Sequence, residues 1–372
     1  GIEEMKTLAI SQVIEQLVNV VLSLIFAFVL VGISIEWGSA GGTVGTTIGA
    51  IVALIFILII YDRNRLEERA EEENKAEKHI SDKMILKKLV KYGVPIIMVA
   101  ALQNSSGMID TINVKGRLLA AGFNDNRATE LYGILGCYNT LLYVPLSIVT
   151  ALSSAIFPRI INAFTTKKKK ELKSHIAYSF RLTYLITIPA AVGLSMLSKE
   201  VYIMIYGSTE GYQLLMYGSV VLIFMSLSAI QNTILQGINK LYLVLSTAFL
   251  SIIIKFVINY FLVGIKDINI LGAVFASFFA FLVPVIINHN RLRRIFKMRI
   301  PIVKMALVPL LASCVMALSI SLCKIPINRF MNIVQGGRAI TSIVALMLIA
   351  IGGAVYFVAM IFLGGIKKKD LD

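Results

Sequence analysis

The chain has 372 residues, 57% of them hydrophobic and only 15% charged, with a mean hydropathy of +0.81 and a formal net charge of +15 at pH 7. Apolar runs of about twenty residues recur from one end to the other, which excludes the soluble globular and disordered classes. The basic residues fall in short stretches between those runs, as membrane orientation signals do, so the charge does not point to nucleic acid.

With a hydrocarbon core of about 30 Å and about 20 residues per crossing, the sequence predicts an all-α, polytopic integral membrane protein of ten transmembrane helices. They are placed near 7–35, 40–61, 88–113, 128–154, 175–197, 212–235, 241–263, 268–288, 301–323 and 339–363. Runs this long and continuous exclude a β-barrel, whose strands are about ten residues of alternating hydrophobicity. The first span carries a weak polar stripe of Gln12, Glu15 or Gln16, Asn19 and Ser23. In the second, Gly41, Gly45, Gly49 and Ala53 recur at four-residue spacing, a face suited to close helix contact. The polar stretch from Tyr61 to Lys83 is rich in helix formers with charges of both signs and predicts a solvated helical linker.

In the third span, Gln103, Ser106, Asp110, Asn113 and Arg117 recur every three or four positions on one helical face. A polar stripe inside lipid has two readings. In one it lines an aqueous cavity, Asp110 takes part in ion or proton coupling and Arg117 meets an anionic substrate group; in the other the charges form an internal salt bridge. The fifth span holds Arg181, whose side chain can snorkel to the boundary near His175. The sixth adds Ser226, Ser228, Gln231, Asn232, Thr233 and Gln236, which either line the same cavity or join helices by hydrogen bonds. In the seventh, Ser251, Lys255 and Asn259 share a face far from either end; Lys255 binds a phosphate or carboxylate as a point charge, or neutralises a carboxylate on a neighbouring helix. Pro95, Pro145, Pro189 and Pro284 predict bends within spans. The basic blocks 167–170 and 291–299 are expected to contact anionic headgroups.

Ten crossings divide the loops into two sets, one with twenty-six Lys and Arg and the other with eight, while Arg181 and Lys255 lie inside spans. The richer set holds both termini, which places them on the cytoplasmic side of the plasma membrane. Cys137, Cys314 and Cys323, like His79, His175 and His289, lack metal-ligand spacing. There is no P-loop, dinucleotide fingerprint, nucleophile elbow or zinc signature, so neither a metal nor another cofactor is expected, nor an enzyme. Many spans with a few buried charges and no catalytic domain describe a secondary transporter.

Several stretches resemble a known family: AISQVIEQLVNVVLSL, MIDTINVKGRLLAAGF, LYGILGCYNTLLYVPLSIVTALSSAIFPRI, IPAAVGLSML and ILQGINKLYLVLSTAFLSIIIKFVINYFLV. In order and spacing they resemble polysaccharide transporters of the stage V sporulation protein B type, in the multidrug/oligosaccharidyl-lipid/polysaccharide exporter superfamily that also holds the lipid II flippases. The resemblance implies fourteen helices in two six-helix lobes plus two more, of which the ten here correspond to the fifth to fourteenth. Residues 1–61 would then be the last two helices of the first lobe, 62–83 the cytoplasmic interlobe linker, 84–297 the second lobe and 298–372 two additional helices with a basic tail. The chain opens GIEEMKTLAISQ without an initiator Met, and four helices are expected upstream on this mapping. It further implies alternating access, with an undecaprenyl-pyrophosphate-linked glycan as substrate, the bilayer as partner and H+ or Na+ as coupling ion. Asp110, Arg117 and Lys255 match charged family positions, whereas Asn19, downstream of IEQ, stands where a basic residue would be expected. The competing readings are a cation-coupled multidrug exporter, which should favour carboxylates in its cavity, and a non-transporting scaffold in cell-wall synthesis. A polytopic glycan polymerase or ligase would need a larger outward loop than any here.

Overall fold

The computed structural model describes residues 5–72, 82–297, 301–334 and 337–365, and these are helical throughout apart from short turns. The chain divides into two compact units, Gly1–Ile85 and Leu86–Asp372.

The first unit pairs α1 (Met5–Val31) with α2 (Ile35–Glu72) across a tight turn. The four-residue glycine spacing does what its pattern predicts. A Cβ built on Gly41 would stand 2.7 Å from the Phe26 carbonyl oxygen, and one on Gly49 2.7 Å from that of Glu15, so only glycine lets the backbones meet. The weak stripe on α1 works as glue in the same seam. Ser23 donates to the Gly42 carbonyl at 2.6 Å, and the Thr46 hydroxyl donates to Asn19 Oδ1 at 3.1 Å. α2 carries the start of the charged stretch as a continuous helix to Glu72; residues 73–81 lie outside the described residues.

The second unit begins with α3 (Asp82–Ile109, all but its first turn), a π-helical turn (Asp110–Val114) and α4 (Lys115–Ala120). There follow α5 (Asp125–Thr165), α6 (Lys169–Met196), α7 (Ser198–Tyr206), α8 (Tyr212–Gly218) and α9 (Val221–Gly237). The chain ends with α10 (Leu241–Leu262), α11 (Leu271–Phe296), α12 (Ile302–Val334) and α13 (Arg338–Phe362). Asn124 caps α5 by accepting from the Arg127 N–H at 2.8 Å. The 41 residues of α5 rise about 60 Å at 1.5 Å each, well beyond the hydrocarbon core.

Among the described residues, eight helices are long and apolar enough to cross a bilayer, or nine when α8 and α9, bent by 57° at their junction, count as one span. At the break the Tyr138 hydroxyl donates to the Gly218 carbonyl at 3.0 Å and fills the space where a side chain on residue 218 would go. The sequence expectation was ten. The difference lies at 88–113, where Gln, Asn and Ser dilute the apolar run of α3 before it enters the π turn.

Two apolar clusters lie along the same long helices. One gathers Leu131 to Leu142 of α5 with Leu214, Leu222 and Val274; the other gathers Ile156 to Ala163 with Phe180, Ile234 and Leu292. Between them along α5, α9 and α10 falls a polar level that holds the site described below. α12 and α13 are fastened to α6 and α7 at helix ends, where orphan carbonyls attract cations. Lys324 donates to the Met196 carbonyl at 2.7 Å and pairs with Glu200 at 2.7 Å, and Arg338 donates to the carbonyls of Met204 at 3.2 Å and Ile205 at 3.0 Å. At the opposite end Arg181 donates to the Gly365 carbonyl, and midway the Tyr356 hydroxyl donates to that of Leu185 at 2.9 Å.

Candidate functional site

The polar stripe expected on the third span meets α10. The π turn from Asp110 to Val114 inserts one extra residue per turn into the helix, which re-aims the side chains that follow. Asp110 is 4% exposed and both of its oxygens accept: Oδ2 from Lys255 Nζ at 2.7 Å and Oδ1 from Asn259 Nδ2 at 3.0 Å. One turn on, Asn113 Nδ2 donates to the Phe256 carbonyl at 2.9 Å. A further turn on, Arg117 Nε donates to the Tyr260 carbonyl at 2.9 Å, and its guanidinium carbon lies 4.1 Å from the centre of the Tyr260 ring. Gly264 leaves room for that guanidinium, because a Cβ there would stand 2.6 Å from Nη2. Asp110, Asn113 and Arg117 thus form a ladder against Lys255, Phe256, Asn259 and Tyr260.

Lys255 is 5% exposed and borders two spaces. One is a pocket of about 30 Å³ shared with Asp110, Tyr138, Asn139 and Ser277, room for about one or two waters. The other is a cavity of about 380 Å³, polar on the sides formed by Tyr143, Thr150, Ser228, Asn232, Thr233, Gln236, Thr247 and Ser251, and apolar at Met225, Phe281 and Pro284. Lys255 is the only charged group among the described residues lining it.

The nine residues marked by sequence divide accordingly. Asp110, Lys255 and Asn259 come together, and Asn113 and Arg117 extend their contact with α10. Asn232 lines the large cavity and accepts from Asn288 Nδ2 at 3.2 Å. Gln231 is fully buried, does not line that cavity, and its amide atoms are without hydrogen-bond partners. The side chains of Gln103 and Ser106 lie outside the described residues. Sequence reading missed Asn139, Tyr143 and Thr150 on α5. Their spacing of four and seven residues on a helix was the available signal, hidden in a run that otherwise reads as apolar. Among the described residues no group of three His, Cys, Asp or Glu is placed to hold a metal.

Residues 1–164 match the protein family described as Polysaccharide biosynthesis protein. The chain is 27% identical over 298 residues to Lipid II flippase MurJ of Bacillus subtilis (strain 168), covering 78% of this chain and 54% of that protein. It is 28% identical over 293 residues to an uncharacterized membrane protein, YabM, of the same organism, covering 79% of this chain and 54% of the other. It therefore spans about half the length of the curated relatives it matches. Among solved structures it is similar to Lipid II flippase MurJ in an inward closed conformation, with a TM-score of 0.64 at 18% identity, covering 92% of this chain and 66% of that one. It is also similar to an inward-facing multidrug resistance MATE family transporter of the MOP superfamily, with a TM-score of 0.52 at 15% identity, covering 78% and 64%. These likenesses show a fold shared with the solved structures of Lipid II flippase MurJ and, less closely, of the MATE family transporter. A multi-pass membrane location is supported by the same comparisons and by the apolar helices. The relatives whose names state a role are a lipid II flippase and a multidrug resistance transporter.

Proposed function

We propose that this chain belongs to a flippase that moves an undecaprenyl-pyrophosphate-linked oligosaccharide or peptidoglycan precursor across the cytoplasmic membrane by alternating access. The observation that carries the reading is the cavity of about 380 Å³ whose single charged lining group is Lys255, with no carboxylate among its described lining residues. An ammonium held at such a level attracts the phosphate of a lipid-linked sugar, while neutral amides and hydroxyls suit the sugar itself. Similarity to proteins named for lipid II and for polysaccharide biosynthesis supports the substrate class.

In this reading the chain has both termini on the cytoplasmic side. Residues 1–61 supply the last two helices of a first lobe, 62–83 the linker, 84–297 the second lobe and 298–372 two additional helices. Asp110 then holds Lys255 ready and is the candidate for coupling to H+ or Na+. The fold shared with a multidrug transporter favours drug export as the second reading, but a cavity for organic cations calls for carboxylates. The test is translocation of a fluorescent undecaprenyl-pyrophosphate glycan in proteoliposomes. Lys255→Ala is expected to raise the half-saturating glycan concentration at least tenfold, the loss of one charge-assisted contact of about 1.5–3 kcal/mol. Unaltered glycan transport in Lys255→Ala, or movement of organic cations in place of the glycan, overturns the proposal.

A further inference from the structure

The pocket of about 30 Å³ joins the ion pair to the α8–α9 break. Its wall holds Asp110, Lys255, Asn139 and Ser277, then Tyr138 from α5, and Val221 and Met225 from the first two turns of α9. Tyr138 is 1% exposed, and its hydroxyl donates its one proton to the Gly218 carbonyl at 3.0 Å. At the break the helical ladder skips that carbonyl. The Leu222 N–H, which a continuous helix would bond to it, donates instead to the Ser219 carbonyl at 3.1 Å. A carbonyl passed over in this way is costly inside a membrane, so the bent junction draws on the tyrosine.

Tyr138 thus shares one small pocket with a second acceptor, the Asp110 carboxylate, whose oxygens are held by Lys255 at 2.7 Å and Asn259 at 3.0 Å. We propose that Tyr138 is a positioning residue that switches between the two. While Lys255 holds Asp110, the hydroxyl stays on the Gly218 carbonyl and the junction is bent. When the ammonium is drawn off, the carboxylate takes the hydroxyl, directly or through one water, for which the pocket has room. The Gly218 carbonyl then returns to the Leu222 N–H and the junction straightens. A carboxylate is the stronger acceptor, one proton cannot serve both groups, and the straightened ladder leaves the carbonyl satisfied. The bend matters because α9 carries Ser228, Asn232, Thr233 and Gln236 to the large cavity, so the angle at the junction sets one of its walls. The bearing on transport rests on the flippase reading, in which a substrate phosphate draws on Lys255; the switch itself needs no substrate.

The test is hydrogen exchange read by mass spectrometry over residues 219–225 of the purified full chain in detergent. Lys255→Met is expected to slow exchange there about fivefold, as the Leu222 N–H gains the Gly218 carbonyl. Tyr138→Phe frees the same carbonyl and is expected to slow exchange equally, and the two changes together are expected to slow it no further. Lys255→Met combined with Asp110→Asn leaves no carboxylate to draw the hydroxyl and should exchange at the unaltered rate. Should Lys255→Met fail to fold, Lys255→Gln removes the charge but keeps a donor, and is expected to slow exchange about twofold, again with no further slowing in the Tyr138→Phe chain. Unchanged or faster exchange over 219–225 in a folded Lys255 variant overturns the switch. So does an effect of Lys255→Met or Lys255→Gln that persists in full in the Tyr138→Phe chain, since it would then not pass through the hydroxyl. No glycan enters these measurements, so failure here is distinguishable from failure of the flippase reading.

Discussion

Replacing Lys255 with Met keeps the length and apolar stem of the side chain and removes only the ammonium. Asp110, at 4% exposure, is then left with a single donor, the Asn259 amide 3.0 Å away. At the observed 2.7 Å and an effective dielectric constant of about 20, the lost attraction is about 6 kcal/mol. Relaxation and water entering the pocket of about 30 Å³ beside the pair return part of that. The net expected loss is about 3–5 kcal/mol, the range for breaking a buried ion pair from one side. Asp110→Asn removes the ammonium's carboxylate partner instead and is expected to cost a similar amount. The double variant leaves no buried charge and should lie within about 1 kcal/mol of the unaltered protein, since apolar and amide groups of similar volume replace the pair. The resulting coupling of at least about 5 kcal/mol is to be measured by equilibrium unfolding of the four proteins in mixed micelles by SDS titration. Additive single losses, with coupling under about 0.5 kcal/mol, would show that the two charges do not depend on one another and would refute the reasoning.

Three further outcomes follow from packing elsewhere. Gly49→Ala drives a methyl group to within 2.7 Å of the Glu15 carbonyl oxygen; since that oxygen belongs to backbone, the expected loss is about 1–3 kcal/mol, read as faster hydrogen exchange in α1 and α2 with the second unit unaffected. Lys324→Met removes the cap on α6 and strands Glu200, whose side chain is 15% exposed. It should cost about 2–3 kcal/mol, and Glu200→Gln in the same chain should recover most of it in the same unfolding assay. Tyr260→Leu leaves the backbone carbonyl that holds Arg117 Nε but removes the ring beneath the guanidinium, so it should cost only about 0.5–1 kcal/mol, and a larger loss would mean the ring and not the carbonyl holds Arg117.

The fold was legible where one pattern had one physical meaning. Four-residue glycine spacing means close approach, and α1 and α2 meet on Gly41, Gly45 and Gly49. Long apolar runs mean helices in lipid, and the spans of α5, α6 and α10 to α13 lie where hydropathy placed them. It was less legible where local order depends on a distant group. Within 212–235 only Gly218 hints at the break, and the Tyr138 hydroxyl that docks on its carbonyl comes from far back in the sequence. The same holds at the site. Asp110 and Lys255 were both conspicuous, but each alone was open to two meanings, and the choice needed the fold, since they stand 145 residues apart in the chain. Arg117 was open to a substrate contact or an internal salt bridge, and in the fold its contacts are a backbone carbonyl and an aromatic face one turn beyond the pair. Tyr143 and Thr150 escaped because polar groups spaced four and seven apart in an apolar helix resemble ordinary packing until the cavity beside them is seen.

The contact between the π turn with α4 and α10 has three rungs of unequal character. Two are side-chain bonds to backbone carbonyls, Asn113 to Phe256 and Arg117 to Tyr260, and every residue of a helix offers a carbonyl. Such rungs hold the helices together but do not by themselves distinguish one register from the next turn. The rung at Asp110 does, because α10 carries only one ammonium, and shifting it by a turn of about 5.4 Å would part that ammonium from the buried Asp110 carboxylate. Lys255 therefore fixes the register of the very helix whose face borders the large cavity. On the flippase reading, an anion in that cavity draws on the ammonium that sets this register, while the two carbonyl rungs keep the helices in contact. Substrate charge then acts on helix pairing through one side chain, and the differential contact that any ligand-driven change of state requires is located at Lys255.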